Sequence, residues 1–256
     1  MKISKILLAM MPLLMLSACS NNGGIEELPP IPDSLLLSVN NYQMSNVYTT
    51  LVNGINYRLS VKASNSGMKY EDIDFTYDEE CFAVAPMYPY LDDDTYSEYY
   101  YLCTPQQNSG SSSISVNYHD VIDTKTYNFI DTTIDSTLMS VTNGLNDQDY
   151  NEVFYFSDYE TYATFDTANS INKTSTYSKS YFVNYDLAIA NISYSSSTRS
   201  VNYQEAFIDG DTIDIAFNFT EDKEVTFDVL LKTYYVQLEK QINITSASLF
   251  KSAQYI

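Results

Sequence analysis

The chain has a single histidine, His119, and Asp120 follows it directly. Imidazole beside a carboxylate has the parts of a general base, so any Ser-His-Asp or Cys-His arrangement would have to use this residue. Alternation with Ile114, Val116 and Tyr118 instead puts His119 on the polar side of a strand, near its end. We read it as a surface histidine. No G-x-S-x-G, H-E-x-x-H or P-loop pattern occurs, and one histidine does not complete a zinc site. Carboxylates are plentiful enough for a glycosidase-like acid pair, but there is no tryptophan to stack on a sugar. These observations favour a non-enzymatic protein. Asp92, Asp93 and Asp94 with Glu98, and the turn Asp209-Gly210-Asp211, offer oxygen ligands suited to Ca2+. Neither has EF-hand spacing, so both are read as solvated acidic turns and no cofactor is expected.

The stretch YPYLDDDTYSEYYYLC, residues 88–103, is the main candidate for recognition. Tyr88, Tyr90, Tyr96 and Tyr99 surround Asp92, Asp93 and Asp94 there. Tyrosine gives large amphipathic contact area at low conformational cost, which suits a binding loop to a protein or glycan ligand. The competing reading is that half of these tyrosines pack on a core. Cys81 and Cys103 flank the segment. An even pair in an exported chain suggests a disulfide, and two separate buried thiols are the alternative.

Strands must position these residues. Tyr57, Leu59 and Val61 alternate with Arg58, Ser60 and Lys62; Ile73, Phe75 and Tyr77 alternate with Asp72, Asp74 and Thr76. Later Tyr181, Val183, Tyr185, Leu187 and Ile189 share one face, as do Ile213, Ile215, Phe217 and Phe219. A further extended region runs from Val225 through Tyr234, Val236 and Leu238. One-sided alternation belongs to antiparallel sheets with one face on a core. Asn53-Gly54, Asn143-Gly144 and Asp209-Gly210 mark turns. No capped amphipathic helix is evident, and Ser246 to Ile256 is left as one helical turn or a final strand. The balance of 33 acidic against 13 basic residues gives a net charge of −20 and no basic cluster. That excludes tracking of phosphate backbones, so no nucleic-acid partner is expected.

At the N-terminus Lys2 and Lys5 precede the apolar run Ile6 to Leu16, which is shorter than the about 20 residues a membrane-spanning helix needs. The run ends Leu16-Ser17-Ala18-Cys19. This resembles the lipobox of bacterial lipoproteins. The resemblance implies a signal peptide over residues 1–18, cleavage before Cys19 and lipidation of its thiol. Two or more acyl chains anchor a protein stably, so Cys19 would be its membrane contact. Residues 19–33, rich in Gly, Asn and Pro, read as a flexible stalk. By analogy with enteric lipoproteins, Ser20 after the cysteine points to the outer membrane, with either face open.

The stretch GSSSISVNYHDVIDTKTYNF, residues 110–129, is similar to the end of a bacterial immunoglobulin-like module. With the alternation, it leads us to expect an all-β chain of two tandem antiparallel β-sandwiches, residues 34–130 and 131–256, the first immunoglobulin-like. One continuous β domain is the alternative. The Asp-Ser/Thr pattern at Asp33-Ser34, Asp131-Thr132 and Asp135-Ser136 resembles the O-glycosylation motif of exported Bacteroidota proteins. That resemblance implies Ser34, Thr132 and Ser136 as acceptors. The functional expectation is a lipid-anchored envelope protein presenting β-sandwiches for binding or envelope structure. A surface glycan-binding lipoprotein of a polysaccharide-uptake system and a fimbrial or adhesin subunit are the alternatives.

Overall fold

The computed structural model describes residues 31–41, 46–88, 95–145, 151–196, 198–222 and 228–255. The fold is the expected all-β sandwich type. In chain order its first strands are β1 (Leu35–Asn40), β2 (Thr50–Val52), β3 (Tyr57–Ala63), β4 (Met68–Lys69), β5 (Asp74–Tyr77), β6 (Phe82–Pro86), β7 (Thr95–Tyr96), β8 (Glu98–Pro105), β9 (Gly110–Tyr118) and β10 (Val121–Ile130). One sheet has the order β1-β3-β8-β6 and a second has β2-β10-β9-β5, while β4 and β7 form a small ladder of their own. All pairs in the two large sheets are antiparallel except β2 with β10. Four strands of A-B-E-D type facing a sheet whose core is C-F-G is the strand order of an immunoglobulin-like sandwich. The β9–β10 hairpin closes through His119 and Asp120, both at positive φ (48° and 68°), as a two-residue turn matched to strand twist requires.

The remaining strands are β11 (Thr133–Ile134), β12 (Ser136–Asn143), β13 (Glu152–Phe156), β14 (Tyr185–Ser195), β15 (Thr198–Asp209), β16 (Thr212–Glu221), β17 (Val229–Glu239) and β18 (Ser246–Tyr255). They form sheets of order β11-β15-β16-β18 and β12-β17-β14-β13. The terminal stretch left open between helix and strand is strand β18, which runs parallel to β16. Ala188, Ala190 and Ile192 of β14 meet Ile213, Ile215 and Phe217 of β16, and Tyr234, Val236 and Leu238 of β17, in one core.

Two helices interrupt the β pattern: α1 (Tyr159–Ala168) and the single turn α2 (Tyr181–Asn184). Asp158 caps α1, accepting the Thr161 backbone N–H at 2.9 Å. The helices cover the outer face of the β14 sheet, where Leu187 and Ile189 pack with Phe156, Tyr162, Tyr177 and Phe182. The expected strand face Tyr181–Val183–Tyr185–Leu187–Ile189 is therefore corrected. Its first part is helical, and Leu187 and Ile189 face the helices rather than the sandwich core.

The same double covering occurs on β16. Asp214 and Ala216, opposite in facing to Ile213 and Ile215, are buried as well. Phe207, Ala216 and Phe250 share the core of the first sheet pair, and Phe250 meets the rings of Tyr48 and Tyr57 at 6.0 and 5.3 Å. On β3, Lys62 is exposed as alternation requires, but Arg58 and Ser60 are buried. Arg58 lies over the Tyr100 ring at 4.4 Å.

The expected Cys81–Cys103 disulfide is not formed; both are free thiols. Register explains why. Phe82 pairs with Pro105 and Val84 with Cys103, and the Cys81 carbonyl accepts from Gln106 N–H at 2.9 Å. Cys81 is thus level with Gln106, three residues or about 10 Å along the strand from Cys103, although both thiols border the same core. A disulfide needs a Cα separation of about 4.4–6.8 Å. Burial pushes the Cys103 thiol up to about 12, which suppresses the reactive thiolate. We expect a thiol reagent without reductant to label Cys81 in the folded protein and both cysteines in urea. Failure of the denatured chain to take up two labels would reinstate the bridge.

Candidate ligand groove

The tyrosine-rich stretch divides on folding. Tyr90, Asp92, Asp93 and Asp94 lie outside the described residues. Tyr99 and Tyr101, successive on one side of β8, turn inward and are buried. The Tyr99 hydroxyl donates to the Met68 carbonyl at 2.8 Å, and burial pushes its pKa up to about 12. Tyr88 packs near Tyr100, with ring centroids 6.0 Å apart, against the other core. Tyr96, on β7, stays exposed with its ring edge-on to Tyr99 at 5.5 Å. Of the four tyrosines singled out, Tyr99 is a core residue and Tyr96 is a surface one.

A different concavity lies beside them. β4 is followed by a 3-10 turn, Tyr70–Asp72, which delivers the chain into β5. Because β5 and β6 are the last strands of their respective sheets, the edge of the sandwich is open between them among the described residues. The groove there has a volume of about 350 Å³ and is lined by Tyr70, Glu71, Ile73, Phe75, Tyr77, Val84, Pro86 and Tyr101. Its aromatic floor is ordered by ring contacts. Tyr70 stacks on Tyr101 with centroids 6.1 Å apart and planes 20° apart, and Phe75 meets Tyr101 edge-on at 4.7 Å. Burial raises the Tyr70 pKa, so its hydroxyl stays protonated and able to donate. Glu71 is exposed and is the one charged residue of the lining. Asp72 in the same turn takes His119 Nε2 at 3.2 Å. His119 is thereby part of the support for that turn, and it is exposed, as read from the sequence.

This groove offers apolar and aromatic surface, one carboxylate, and the backbone edges of two short strands. That suits an extended, apolar or weakly cationic segment. It offers no cation to hold a phosphate and no base beside a nucleophile. Sequence reading found Ile73, Phe75 and Tyr77 as one strand face but not their role. Tyr70, Glu71, Val84 and Pro86 carry no motif and come together only through the sheet order.

The remaining candidates are placed as follows. Ser34 is exposed and its hydroxyl is within 3.0 Å of the Ser64 hydroxyl. Thr132 Oγ1 is buried, and Ser136 Oγ accepts the Tyr203 hydroxyl at 2.5 Å. Asp209-Gly210-Asp211 forms the tight turn of the β15–β16 hairpin, Gly210 at φ 65°, and the Asp211 carbonyl accepts Thr245 N–H at 3.1 Å. Among the described residues no three His, Cys, Asp or Glu side chains converge to hold a metal, and no described helix is long and apolar enough to cross a membrane. Cys19 lies outside the described residues.

In comparisons with known proteins, no family model, no curated protein and no solved structure matches the chain.

Proposed function

We propose that this chain is a non-enzymatic envelope protein, tethered through a lipid on Cys19, that binds an extended segment of another envelope protein in the β5–β6 groove. The observation that carries the binding reading is the aromatic floor of Tyr70, Phe75 and Tyr101 lying between two open strand edges. A strand-like ligand adds main-chain hydrogen bonds at such an edge while its alternate side chains fill the apolar hollow. The residues Leu16-Ser17-Ala18-Cys19, with the apolar run before them, support the tether. Two β-sandwich domains on a stalk would then hold the groove away from the outer membrane.

Two measurements test this reading. Cys19→Ser should leave the β-rich body folded while it is released, or should accumulate as unprocessed precursor. A normally processed, membrane-bound variant would refute the tether. For the groove, cross-linking in intact envelopes followed by mass spectrometry should recover a protein partner. Tyr70→Ala should weaken that capture at least about tenfold, as expected for a desolvated aromatic anchor. Capture unchanged by Tyr70→Ala, or a glycan array that lights up where protein capture fails, would overturn the peptide-groove reading.

A further inference from the structure

At the opposite end of the chain a lysine is held where lysines are rarely found. Lys251 is 8 % exposed. It sits on β18 directly across from Phe217 of β16, so its side chain points between the two C-terminal sheets, with Nζ 5.0 Å from the Phe219 ring centroid. From there Nζ donates to Asn151 Oδ1 at 2.5 Å. Asn151 leads into β13, the last strand of the facing sheet, and β13 and β18 lie against each other at the sandwich edge. The contact therefore spans from one sheet to the other, between residues 100 positions apart.

This is more than a hydrogen bond of convenient length. A C=O bond of about 1.2 Å, added to the contact distance, keeps Nζ within about 3.7 Å of the amide carbon, close to the range of about 3–3.5 Å for a near-attack arrangement. Burial lowers the Lys251 pKa to about 8, so an appreciable fraction of the amine is neutral and nucleophilic at neutral pH. Asn151 Oδ1 also accepts the backbone N–H of Ser193 at 3.2 Å, a donor placed where negative charge would develop on that oxygen. Glu221 lies on the same inward side of β16 as Phe217 and Phe219, and its charge acts on Lys251. Asn151 itself is exposed, so a small leaving group has a path to solvent.

We propose that Lys251 and Asn151 are the two halves of an intramolecular amide cross-link that closes the β13–β18 edge. The neutral Nζ attacks Asn151 Cγ, and the carboxamide oxygen takes up the charge beside Ser193 N–H. A proton from Nζ passes to Nδ2 through the solvent that reaches exposed Asn151. The Cγ–Nδ2 bond breaks, ammonia leaves and the oxygen returns to a carbonyl. One C–N bond forms and one is lost, with no change of oxidation state and no co-reactant. The result ties a strand that, among the described residues, is the last of its sheet and pairs with β16 to the opposing sheet.

The test is the intact mass of the purified full-length chain under denaturing conditions. The wild type should be lighter by one ammonia than the mass expected for its sequence after any processing and lipidation at Cys19 are counted. A protease digest should contain a branched peptide joining Asn151 to Lys251. Asn151→Gly keeps a residue that accepts the positive φ of this position (65°) and should show its full sequence mass, as should Lys251→Arg. The wild-type reading does not depend on either variant folding. A wild-type mass with no ammonia missing, processing at Cys19 being counted, would overturn the proposal and leave a buried hydrogen bond. Loss of ammonia without a branched peptide, as a succinimide at Asn151 would give, would overturn it equally.

Discussion

Above about pH 10 the protein should unfold in one cooperative step, and most of its phenolate absorbance should appear in that step. The chain has 25 tyrosines, and its largest fully buried side chains include Tyr57, Tyr99, Tyr118, Tyr162, Tyr177 and Tyr235. Burial, the leading cause in each case, pushes Tyr48, Tyr99, Tyr203 and Tyr234 up to about 12 from an ordinary 10.0. Tyr57, Tyr127, Tyr155, Tyr162 and Tyr181 are pushed higher still, again chiefly by burial. Below pH 10 both folded and unfolded chains keep these protons and stability does not depend on them. Above it the unfolded chain releases protons that the folded chain holds, so stability falls with rising pH through the window from about 10 to about 12. For buried Tyr99 and Tyr234 a shift of this size corresponds to roughly 2–3 kcal/mol each. A typical domain has only about 5–15 kcal/mol in hand, so a few such groups suffice. Each phenolate also adds to a net charge already at −20, which acts in the same direction. Parallel titration by phenolate absorbance and far-ultraviolet circular dichroism checks this. A phenolate signal that completes while the β signal is intact would refute the coupling.

The same tyrosines explain how far the sequence could be read. Wherever one strand face meets a core and the other meets water, period-two alternation gave the right face. Ile114, Val116 and Tyr118 are buried as read, while on β3 Tyr57, Leu59 and Val61 are buried as read but Arg58 and Ser60 opposite them are buried too. Alternation failed where both faces are covered. On β14 the helices cover the side carrying Leu187 and Ile189, and on β16 the first sheet pair covers Ala216. Along such strands burial is continuous, and sequence patterning alone does not reveal the second covering layer. Helix α1 escaped notice because Thr161, Thr164 and Thr167 lower helix propensity, although Asp158 with Glu160 beside it in the first turn was an available capping signal. The disulfide was an error of register. Cys81 and Cys103 border the same core, but the register of β6 on β8 sets Cys81 three residues along from Cys103, and no local pattern reveals that register. The groove was illegible for a related reason. Its walls come from β5, β6 and β8, and their adjacency is a property of topology rather than of any local pattern.

Asp186→Ala should cost about 3–5 kcal/mol, because it removes a buried carboxylate that accepts three charge-assisted hydrogen bonds. The Asp186 side chain is fully buried at the start of β14. One carboxylate oxygen accepts Lys240 Nζ at 2.7 Å, and the other accepts the Tyr155 hydroxyl at 2.5 Å and Gln241 N–H at 3.1 Å. The Tyr181 hydroxyl donates to its carbonyl at 3.2 Å. One residue thus joins β13, β14, α2 and the segment after β17. Lys240 also donates to the Ser157 carbonyl next to the α1 cap. Truncation strands the Tyr155 hydroxyl and the Lys240 ammonium together, and an unmade buried bond costs more than a made one contributes. Lys240→Ala should cost less, because that ammonium side chain is 35 % exposed and the carboxylate keeps two donors. Adding Lys240→Met to Asp186→Ala should recover part of the loss, since the stranded charge is gone. Arg199→Ala, which breaks a pair exposed on both sides, should change little. Urea denaturation of the four variants separates these outcomes. If Asp186→Ala cost no more than Arg199→Ala, the junction would be incidental to the fold. If the double variant were worse than Asp186→Ala alone, Lys240 would be stabilising through its aliphatic stem and its Ser157 bond rather than through charge. The expected order follows from burial: the carboxylate has no access to water, so its protein partners are the only ones it has.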